Sequence, residues 1–550
     1  MNKNHWVYSS LHKQKELINV LFNKENWSPV ATNFYELFYD TSTTFSTTHL
    51  RHFLRTFLLR HNPNLNGNYQ INSFNILNSL YPSVEKSYNY LIYVHNKYMK
   101  TLWQDINMHE YKTLDKDINC DILIIGGGIT GINTLYELKD KDVILVEKNT
   151  IGSGITARSS AKITFLQENI YSKINNIDKA KNYYECNKLA IKTLVNRINK
   201  EGIDCDLEKV KSYLYTTKIE NIEKIKKEQK ILETFGETPK VSNILPNKML
   251  VNYSFSVDNT YVFHPLKYIN ELAFKLKDKI YEHTNIIDIK NIDGLYNCYT
   301  NSNCVIKAKT VILAMFYPYF LIPFLMPLKG NLEKSYITIK KDKNKHFSAI
   351  NIDDELLSIR YNKDTLITVT NSHNLCFNKN IHDYSWSNHD IITPDYIPYI
   401  GFIKDNLIIA TGYNTWGMTG SIIASLIIKD SINNKENKYI NLFNPKRSKS
   451  IIKYGYNIFS SIYSLIGSKL NKNKEYYNNN PIFIKDKAIY VDKYKVKHIV
   501  YNKCPHMKCT LLFNKEEETW DCPCHGSRFT LDGDVLIGPT NYSIRVKKSI

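Results

Sequence analysis

Two groups of residues in this chain have the types and the spacing that chemistry requires. One is the glycine-rich run GGGITG, from Gly126 to Gly131, and the other is a set of cysteines and histidines within the last fifty residues. The backbone N–H groups of a G-x-G-x-x-G turn bind the phosphates of a dinucleotide. Thiolates and imidazoles a few residues apart bind metal. The sequence therefore predicts a dinucleotide site and a separate metal centre.

The glycine run lies in a predicted βαβ unit, whose second strand, Val143–Val146, ends at Glu147. In this motif Gly126 permits the tight turn, Gly128 lets the backbone approach a pyrophosphate, and Gly131 lets the helix pack closely on the first strand. Glu147 is placed to accept hydrogen bonds from the ribose hydroxyls of an adenosine. The unit by itself fits FAD or NAD.

The metal centre has two cysteines and two histidines as its predicted ligands: Cys504, His506, Cys522 and His525. A C-x-H pair and a later C-x-x-H pair form the pattern of a Rieske [2Fe-2S] cluster, in which two thiolates hold one iron and two imidazoles the other. A structural zinc ion takes the same four ligands. Cys509 and Cys524, which lie beside these residues, favour the cluster over zinc.

Two other segments have the composition expected where the backbone passes close to a cofactor. Residues 152–162 are rich in small residues and hydroxyls. A predicted strand, Asn406–Ala410, leads through a glycine-rich turn into a predicted helix, Ser421–Ile432. Such a turn directs N–H groups at the carbonyl-rich edge of a flavin, which favours FAD over NAD. The residues predicted to bind FAD in these segments are Thr156, Ser160, Lys162, Gly412, Gly417, Met418 and Thr419.

At this point the sequence resembles a known family. Residues from about 102 to 447 are similar to the FAD-dependent oxidoreductases of the D-amino-acid-oxidase and glycine-oxidase superfamily, and more narrowly to a bacterial subgroup that ends in a Rieske domain. The residues that carry the resemblance are GGGITG (126–131), GSGITARSSAKIT (152–164), FHPLKY (263–268), YSWSNHD (384–390), DYIPYIG (395–401) and ATGYNTWGMT (410–419). The first 95 residues lie outside the match.

The resemblance also implies details of the metal centre. In similar Rieske proteins, cysteines at the positions of Cys509 and Cys524 form a disulfide that clamps the two cluster loops, although a reducing cytoplasm opposes it. High-potential members place a tyrosine where this chain has Phe529, and its hydroxyl donates to a ligand sulfur. Ser527 remains as a donor to a bridging sulfide. With one donor fewer, the reduction potential of the cluster is predicted to lie below that of quinol-oxidising relatives.

The predicted fold class is α/β, or α+β overall. A Rossmann-like FAD-binding domain with an inserted β-rich substrate domain precedes a small all-β Rieske domain. The tract from about 171 to 240 is lysine- and glutamate-rich and is expected to form a helical surface layer. The predicted parts are a helical extension of unknown role (1–95), the flavin domain (96–445), a linker with an amphipathic helix (446–479) and the Rieske domain (480–550).

Composition limits the class of protein. The chain has 550 residues, of which 43% are hydrophobic, and this is typical of a globular protein with several domains. Its formal net charge of +19 comes largely from lysines scattered among Asn, Ile and Tyr, so no nucleic-acid partner is expected. One basic stretch, from Lys446 to Lys508, forms either a solvated linker or a docking face for an acidic redox protein.

The most apolar run, Val311–Leu328, contains three prolines, and it is predicted as a buried strand, Val311–Met315, followed by a loop. No integral membrane segment is therefore expected. The first residues have no apolar core of the signal-peptide type, and ten cysteines in the chain do not suggest a secreted disulfide scaffold. The predicted location is the cytoplasm.

The leading hypothesis is an enzyme in which a small molecule, an amine or amino acid by resemblance, reduces FAD and the electrons leave through the [2Fe-2S] cluster. One alternative is an electron-transfer or redox-sensing protein with no small-molecule substrate. Another treats the flavoprotein part as a binding module. No catalytic acid or base is assigned, because hydride transfer to a flavin proceeds without a strong protein base. Candidates for the substrate side are His264, Tyr317, Tyr336 and Trp416.

Overall fold

The computed structural model describes residues 101–546, except 175, 317–329, 343–345, 363, 372–383, 448–480, 493–495, 507, 516, 524–525, 539 and 541. The predicted N-terminal helical extension, the predicted linker helix, Tyr317, Cys376, Cys524 and His525 lie outside the described residues. Among the residues described, no helix is both long enough and apolar enough to cross a membrane.

The described α-helices are α1 (Ile129–Glu137), α2 (Ile170–Lys173), α3 (Ile177–Glu201), α4 (Ile222–Thr234), α5 (Pro265–Phe274), α6 (Gly417–Ile432) and α7 (Ile440–Phe443). Local signals explain their ends. The Asn176 side chain accepts a hydrogen bond from the N–H of Lys179 and caps α3, and Gly202, at φ +65°, ends it. Short 3₁₀ turns lie at Leu102–Gln104, Ile155–Arg158, Ile219–Asn221 and Lys277–Lys279.

Strands of the flavin part are β1 (Ile118–Ile125), β2 (Val143–Val146), β3 (Lys162–Ile163), β4 (Glu208–Thr216), β5 (Lys240–Ile244), β6 (Leu250–Val262), β7 (Ile280–Tyr281), β8 (Ile286–Ile292), β9 (Leu295–Thr300), β10 (Val305–Leu313), β11 (Asn331–Lys341), β12 (Phe347–Asn351), β13 (Leu357–Asn362), β14 (Thr365–Thr370), β15 (Tyr384–Ile392), β16 (Tyr399–Lys404) and β17 (Leu407–Thr411). Strands of the C-terminal part are β18 (Ile482–Ile484), β19 (Lys487–Val491), β20 (Lys497–Tyr501), β21 (Leu512–Asn514), β22 (Thr519–Asp521), β23 (Arg528–Phe529) and β24 (Val535–Ile537).

The first sheet carries the dinucleotide motif. Its strand order is β16-β17-β10-β1-β2-β7, with β9 and β8 added beside β10, and β17, β10, β1, β2 and β7 run parallel. The central strand β1 lies between β10 and β2, and Leu123 and Ile124 on it are completely buried. This is the arrangement of a Rossmann-like domain, in which ligands bind at the carboxyl ends of the strands.

The second sheet forms the inserted domain. Its order is β15-β11-β14-β13-β12-β4-β6-β3, with β5 beside β6, and its described pairs are antiparallel except for β12 and β4. The predicted helical surface layer of residues 171–240 contains a strand as well, because β4 lies between α3 and α4. This strand pairs with β12 and β6 in the middle of the sheet, where burial outweighs its lysine-rich composition.

The C-terminal part is built from two small antiparallel sheets, β18-β19-β20 and β21-β22-β23-β24. Their shared core includes the completely buried Trp520 and Phe529 and the cysteines Cys504, Cys509 and Cys522. The described residues therefore have the predicted all-β character in this part and the predicted α/β character before it.

Element ends differ from the predictions by a few residues. The helix predicted at Ser421–Ile432 begins at Gly417, directly after Trp416, so the predicted turn residues Gly417, Met418 and Thr419 form its first turn. The predicted strand Val311–Met315 is the end of β10, which stops at Leu313. Both differences arise because sequence patterns locate the middle of an element better than its ends.

Candidate functional site

The turn between β1 and α1 has the geometry that a dinucleotide motif requires. Gly126 has φ +114°, and a Cβ added there would lie 2.6 Å from the carbonyl oxygen of Ala314. A Cβ on Gly131 would lie 1.8 Å from the carbonyl oxygen of Gly126, so only glycine lets α1 pack this closely on β1. A Cβ on Gly128 would meet only the Thr156 hydroxyl, 3.3 Å away. The backbone of Gly128 can therefore present its surface to a bound group.

Two predicted cofactor residues support this turn. Glu147 accepts hydrogen bonds from the N–H of Gly127 at 2.7 Å and of Asn149 at 2.9 Å, which holds its carboxylate at the end of β2. The Thr156 hydroxyl accepts from the N–H of Ile129 at 3.0 Å, at the first residue of α1. The structure therefore places these residues with the glycines at the carboxyl ends of β1 and β2, where the motif predicts them.

The second glycine-rich turn lies beside the first. The Thr130 hydroxyl, in the first turn of α1, donates to the Tyr413 hydroxyl at 3.1 Å, just before α6. Gln167 donates to the Thr419 hydroxyl at 3.1 Å, in the first turn of α6. Gly412 has φ +74°, as the change of direction after β17 requires. Helices α1 and α6 thus begin in the same region, where both can direct N–H groups at one ligand.

Ser160 and Lys162 join the loop that follows Glu147 to the inserted sheet. Lys162 donates to the Ala349 carbonyl at 2.9 Å and to the Ser358 hydroxyl at 2.6 Å. Burial, with a smaller contribution from the nearby Arg360 guanidinium, lowers the pKa of Lys162 to about 7. Arg360 is completely buried and donates to the Ser160 carbonyl. These side-chain bonds fix the loop against β12 and β13.

In the C-terminal part, two cluster loops are held by their own backbones. Cys504 and Cys522 are only 1% and 4% exposed, and neither is in a disulfide. The N–H of Cys504 donates to the Cys509 carbonyl at 2.9 Å and closes the first loop. The N–H of Cys522 donates to the Ser527 carbonyl at 2.7 Å and closes the second. Burial lowers the pKa of His506, which favours the neutral imidazole that binds metal.

Two residues that the resemblance singled out near the cluster are described. Phe529 on β23 is completely buried and pairs with Trp520 on β22. Ser527 is also completely buried, and its hydroxyl accepts from the N–H of Thr540 at 3.4 Å. Of the predicted metal ligands, Cys504, His506 and Cys522 are described and His525 is not.

The C-terminal part docks on the inserted sheet through charged side chains. Lys334 on β11 lies 2.8 Å from Asp521 and 3.4 Å from Glu517, both in the C-terminal part. Arg528 lies between the same two carboxylates, at 2.6 Å from Glu517 and 3.0 Å from Asp521. Burial alone would raise the pKa of Asp521, but the cations Arg528 and Lys334 hold this pKa well below its usual range.

Neutral contacts complete this interface. Ser387 on β15 donates both its N–H and its hydroxyl to Glu517 at 3.0 Å, and its hydroxyl accepts from Arg528 at 2.6 Å. A Cβ on Gly526, next to the predicted ligand His525, would lie 2.9 Å from a Leu332 methyl carbon and 3.3 Å from the His389 ring. A predicted cluster loop therefore packs directly on β11 and β15.

Strands β11 and β15 form what we call the docking ribbon, and its two faces have different neighbours. Opposite residues of an antiparallel pair share a face, and the register pairs Lys334 with His389 and Tyr336 with Ser387. This face meets the C-terminal part. The alternate face carries Ile337 and Trp386, which are buried in the main core together with α1 and α6. The ribbon thus separates the predicted flavin site from the predicted cluster.

Comparison with known proteins agrees with this architecture. Residues 121–377 match the family of FAD dependent oxidoreductases, and residues 468–547 match the Rieske [2Fe-2S] domain. The chain is 30% identical over 491 residues to a Bacillus subtilis protein named as the Rieske 2Fe-2S iron-sulfur protein YhfW, and the match covers 80% of this chain and 96% of that protein.

The chain is an FAD-dependent oxidoreductase with a C-terminal Rieske domain. Solved structures share the fold of the oxidoreductase part. The L-amino acid deaminase from Proteus vulgaris is 16% identical with a TM-score of 0.52, and covers 62% of this chain and 97% of its own. The glycine oxidase from Geobacillus kaustophilus is 16% identical with a TM-score of 0.51, and covers 60% of this chain and 100% of its own.

The residues present fit both cofactors of this oxidoreductase. For FAD, the close approach at Gly131, the clear surface at Gly128 and the carboxylate of Glu147 at the end of β2 match a dinucleotide motif. For the [2Fe-2S] cluster, two buried cysteine sulfurs outside any disulfide and a partly buried imidazole supply the right donor types.

The described candidates for the substrate side of the oxidoreductase have structural contacts. The His264 ring caps α5 by accepting from the N–H of Lys267 at 3.2 Å, and burial lowers its pKa to about 4. Trp416 precedes α6 and is buried. Tyr336 shares the face of Ser387, towards the Rieske domain. The Arg360 guanidinium, which the sequence did not single out, binds backbone carbonyls.

Sequence reasoning missed the interface residues of the oxidoreductase. They are Lys334, Ser387, Glu517, Asp521 and Arg528. Ser387 lies within a stretch that carried the family resemblance, which was a usable signal for its position. The docking of the Rieske domain on β11 and β15 has no pattern in the sequence, because its contacts join residues more than a hundred positions apart.

The missing tyrosine leads to a test of the cluster potential. We expect Phe529→Tyr to raise the reduction potential of the oxidoreductase cluster by tens of millivolts, because a hydroxyl donor stabilises the reduced form. A redox titration followed by electron paramagnetic resonance (EPR) measures it. Phe513→Tyr makes the same change on a partly buried ring that lies 4.8 Å from the Trp520 ring, and should leave the potential near that of the parent. Equal potentials in all three proteins would contradict the prediction.

Proposed function

We propose that the enzyme oxidises a small amine or amino acid at FAD and passes the electrons through the Rieske cluster to an acceptor outside the chain. One observation carries the proposal: the Rieske domain is docked, through Lys334, Ser387 and Gly526, on a ribbon whose other face packs into the flavin domain core. A docked Rieske domain is placed to receive electrons from a flavin that a substrate has reduced.

Each cofactor supplies a distinct part of this chemistry. FAD accepts two electrons from an organic substrate, and the [2Fe-2S] cluster carries one electron at a time. The chain's own residues hold the Rieske domain in a fixed position on the flavin domain. The interface carboxylates Glu517 and Asp521 each bind one cation from the flavin domain and one from the Rieske domain. Lys334 reaches them from β11 and Arg528 from β23.

The substrate class has indirect support. The solved structures that share the fold include proteins named for L-amino acids and for glycine, so an amine or amino acid is our proposal for this chain. The residues that we propose to bind FAD are those predicted from the sequence, from Gly126 to Thr419. The proposed cluster ligands are Cys504, His506, Cys522 and His525.

We further propose that Cys509 and Cys524 form a disulfide between the cluster loops. In support, Cys509 is completely buried, and its carbonyl accepts a hydrogen bond from the N–H of Cys504 in the same loop. A bond at this place would hold the two loops together when the iron is absent. The predicted domain boundaries, the cytoplasmic location and an acidic redox protein as acceptor stay predictions.

Anaerobic stopped-flow spectroscopy tests the function. The protein with both cofactors is mixed with single amines and amino acids, and absorbance reports the flavin while rapid-freeze EPR reports the cluster. We expect a substrate to bleach the flavin first and the cluster signal to follow within the same turnover. Bleaching of the flavin without any cluster signal would refute the outlet. Reduction by a reductase or NAD(P)H alone, with no response to any amine or amino acid, would favour the electron-transfer alternative.

A further inference from the structure

We propose that Glu333 and Asp390 bind an ammonium group of the substrate. The inference rests on the proposed function, since it assigns part of the substrate site. The two residues lie directly opposite each other on β11 and β15. They share the face that carries Ile337 and Trp386, which is the flavin-domain face of the docking ribbon.

Two like charges in this position need a partner. Carboxylates directly opposite each other on neighbouring strands repel and destabilise the sheet. Within the described ranges, neither Glu333 nor Asp390 is in an ion pair. The nearby Lys173 is already paired, at 3.0 Å, with Glu168. A cation from outside the chain would remove the repulsion.

A third acceptor points at the same place. Asn388 is 5% exposed and shares the face of Asp390, and its amide nitrogen donates to the Asp390 carboxylate at 3.1 Å. Its side-chain oxygen is buried and has no hydrogen-bond partner among the described residues. A buried acceptor without a donor costs free energy unless a ligand supplies one. An ammonium group has several N–H donors, which suits two carboxylates and one amide oxygen.

The site is open and lies next to the proposed flavin site. Glu333 and Asp390 each keep part of their surface accessible to solvent, so a ligand can reach both. Trp386, two positions before Asn388 on the same face, donates to the Arg158 carbonyl in the loop after Glu147 at 2.9 Å. The Glu168 carboxylate is close enough to Glu333 to raise its pKa. The residue before it, Gln167, donates a hydrogen bond to Thr419 at the start of α6.

The protonation of the pair gives the site a pH dependence. Burial, together with the nearby Glu333 carboxylate, raises the pKa of Asp390 to about 7. Burial also raises the pKa of Glu333, with Glu168 raising it and Lys173 lowering it. On the other face of the ribbon lie Lys334, His389 and Arg528. Loss of the proton above pH 7 increases the negative charge of the pair, while an alkylammonium ion keeps its charge.

Equilibrium binding to the dithionite-reduced protein tests the site. The full chain with both cofactors is titrated calorimetrically with n-butylammonium and with the neutral 1-butanol, and reduced flavin prevents turnover. We expect the cation to bind and the alcohol to bind at least about tenfold more weakly. Glu333→Gln and Asp390→Asn should each weaken cation binding about tenfold, and affinity in the parent should increase from pH 6 to pH 8.

Two controls separate a binding role from a structural one. Glu220→Gln neutralises an exposed carboxylate elsewhere and should leave the affinity unchanged. Glu333→Lys supplies an internal cation for Asp390, and should abolish binding while the flavin and EPR spectra stay intact. Unchanged affinity in the Glu333→Gln, Asp390→Asn double variant, or equal binding of 1-butanol, would overturn the inference. Because nothing is oxidised in this titration, failure of the proposed electron outlet leaves its result unaffected.

Discussion

Lys334→Glu is expected to slow reduction of the cluster by the flavin about a hundredfold. The change places a third carboxylate beside Glu517 and Asp521, in an interface where the Lys334 side chain is 23% exposed and those of its partners 10% and 19%. Breaking a buried ion pair costs about 3–5 kcal/mol, and about 1.4 kcal/mol corresponds to a factor of ten in the docking equilibrium. Undocking increases the separation of the two cofactors.

The measurement is anaerobic stopped-flow reduction with a substrate that bleaches the flavin. The rate of flavin bleaching should stay near that of the parent, and only the cluster phase should slow. Lys340→Glu makes the same change of charge on an exposed side chain of the same strand and should have no effect on either phase. An unchanged rate of cluster reduction in Lys334→Glu would show that electron transfer from the flavin to the cluster does not depend on this docking.

Gly131→Ala is expected to abolish FAD binding. Its Cβ would lie 1.8 Å from the Gly126 carbonyl oxygen and 3.2 Å from a methyl carbon of Leu145. Because the obstacle is backbone, α1 must move away from β1, and the N–H groups at its start lose their position. Overpacking of this kind costs up to about 3 kcal/mol in the free energy of unfolding.

The ratio of flavin to protein after purification and a denaturant titration measure the effect. Gly154→Ala is the matched control in the loop that follows Glu147, because a Cβ there meets no atom within 4 Å and φ is −80°. It should retain FAD and stability. A Gly131→Ala protein that binds FAD as the parent does would contradict the assigned role of the turn.

The chemistry could be predicted from the sequence because its signals are local. The dinucleotide motif spans Gly126 to Glu147, and the proposed metal ligands fall in two short segments. Turn geometry, strand polarity and ligand spacing over so few residues depend little on the rest of the chain. The same holds for the start of α5, where Pro265 occupies the first helical position and the His264 side chain caps the helix.

Strand β4 shows where local reasoning fails. Its segment lies in a lysine-rich tract between two amphipathic helices, and its β structure comes from pairing with β12 and β6. Propensity is a weak prior that tertiary contacts override. The early start of α6 has the same origin, because its first turn packs among Tyr413 and Gln167.

The sequence by itself determined which cofactors this chain binds, and the tertiary structure decided how their sites are arranged. The position of Lys334 against Asp521, and of Glu333 against Asp390, depends on the register of β11 with β15 and on the docking of another domain. A shift of one residue in that register would exchange the two faces of the ribbon. Such contacts join residues far apart in the chain, so their energies act only once the fold has formed.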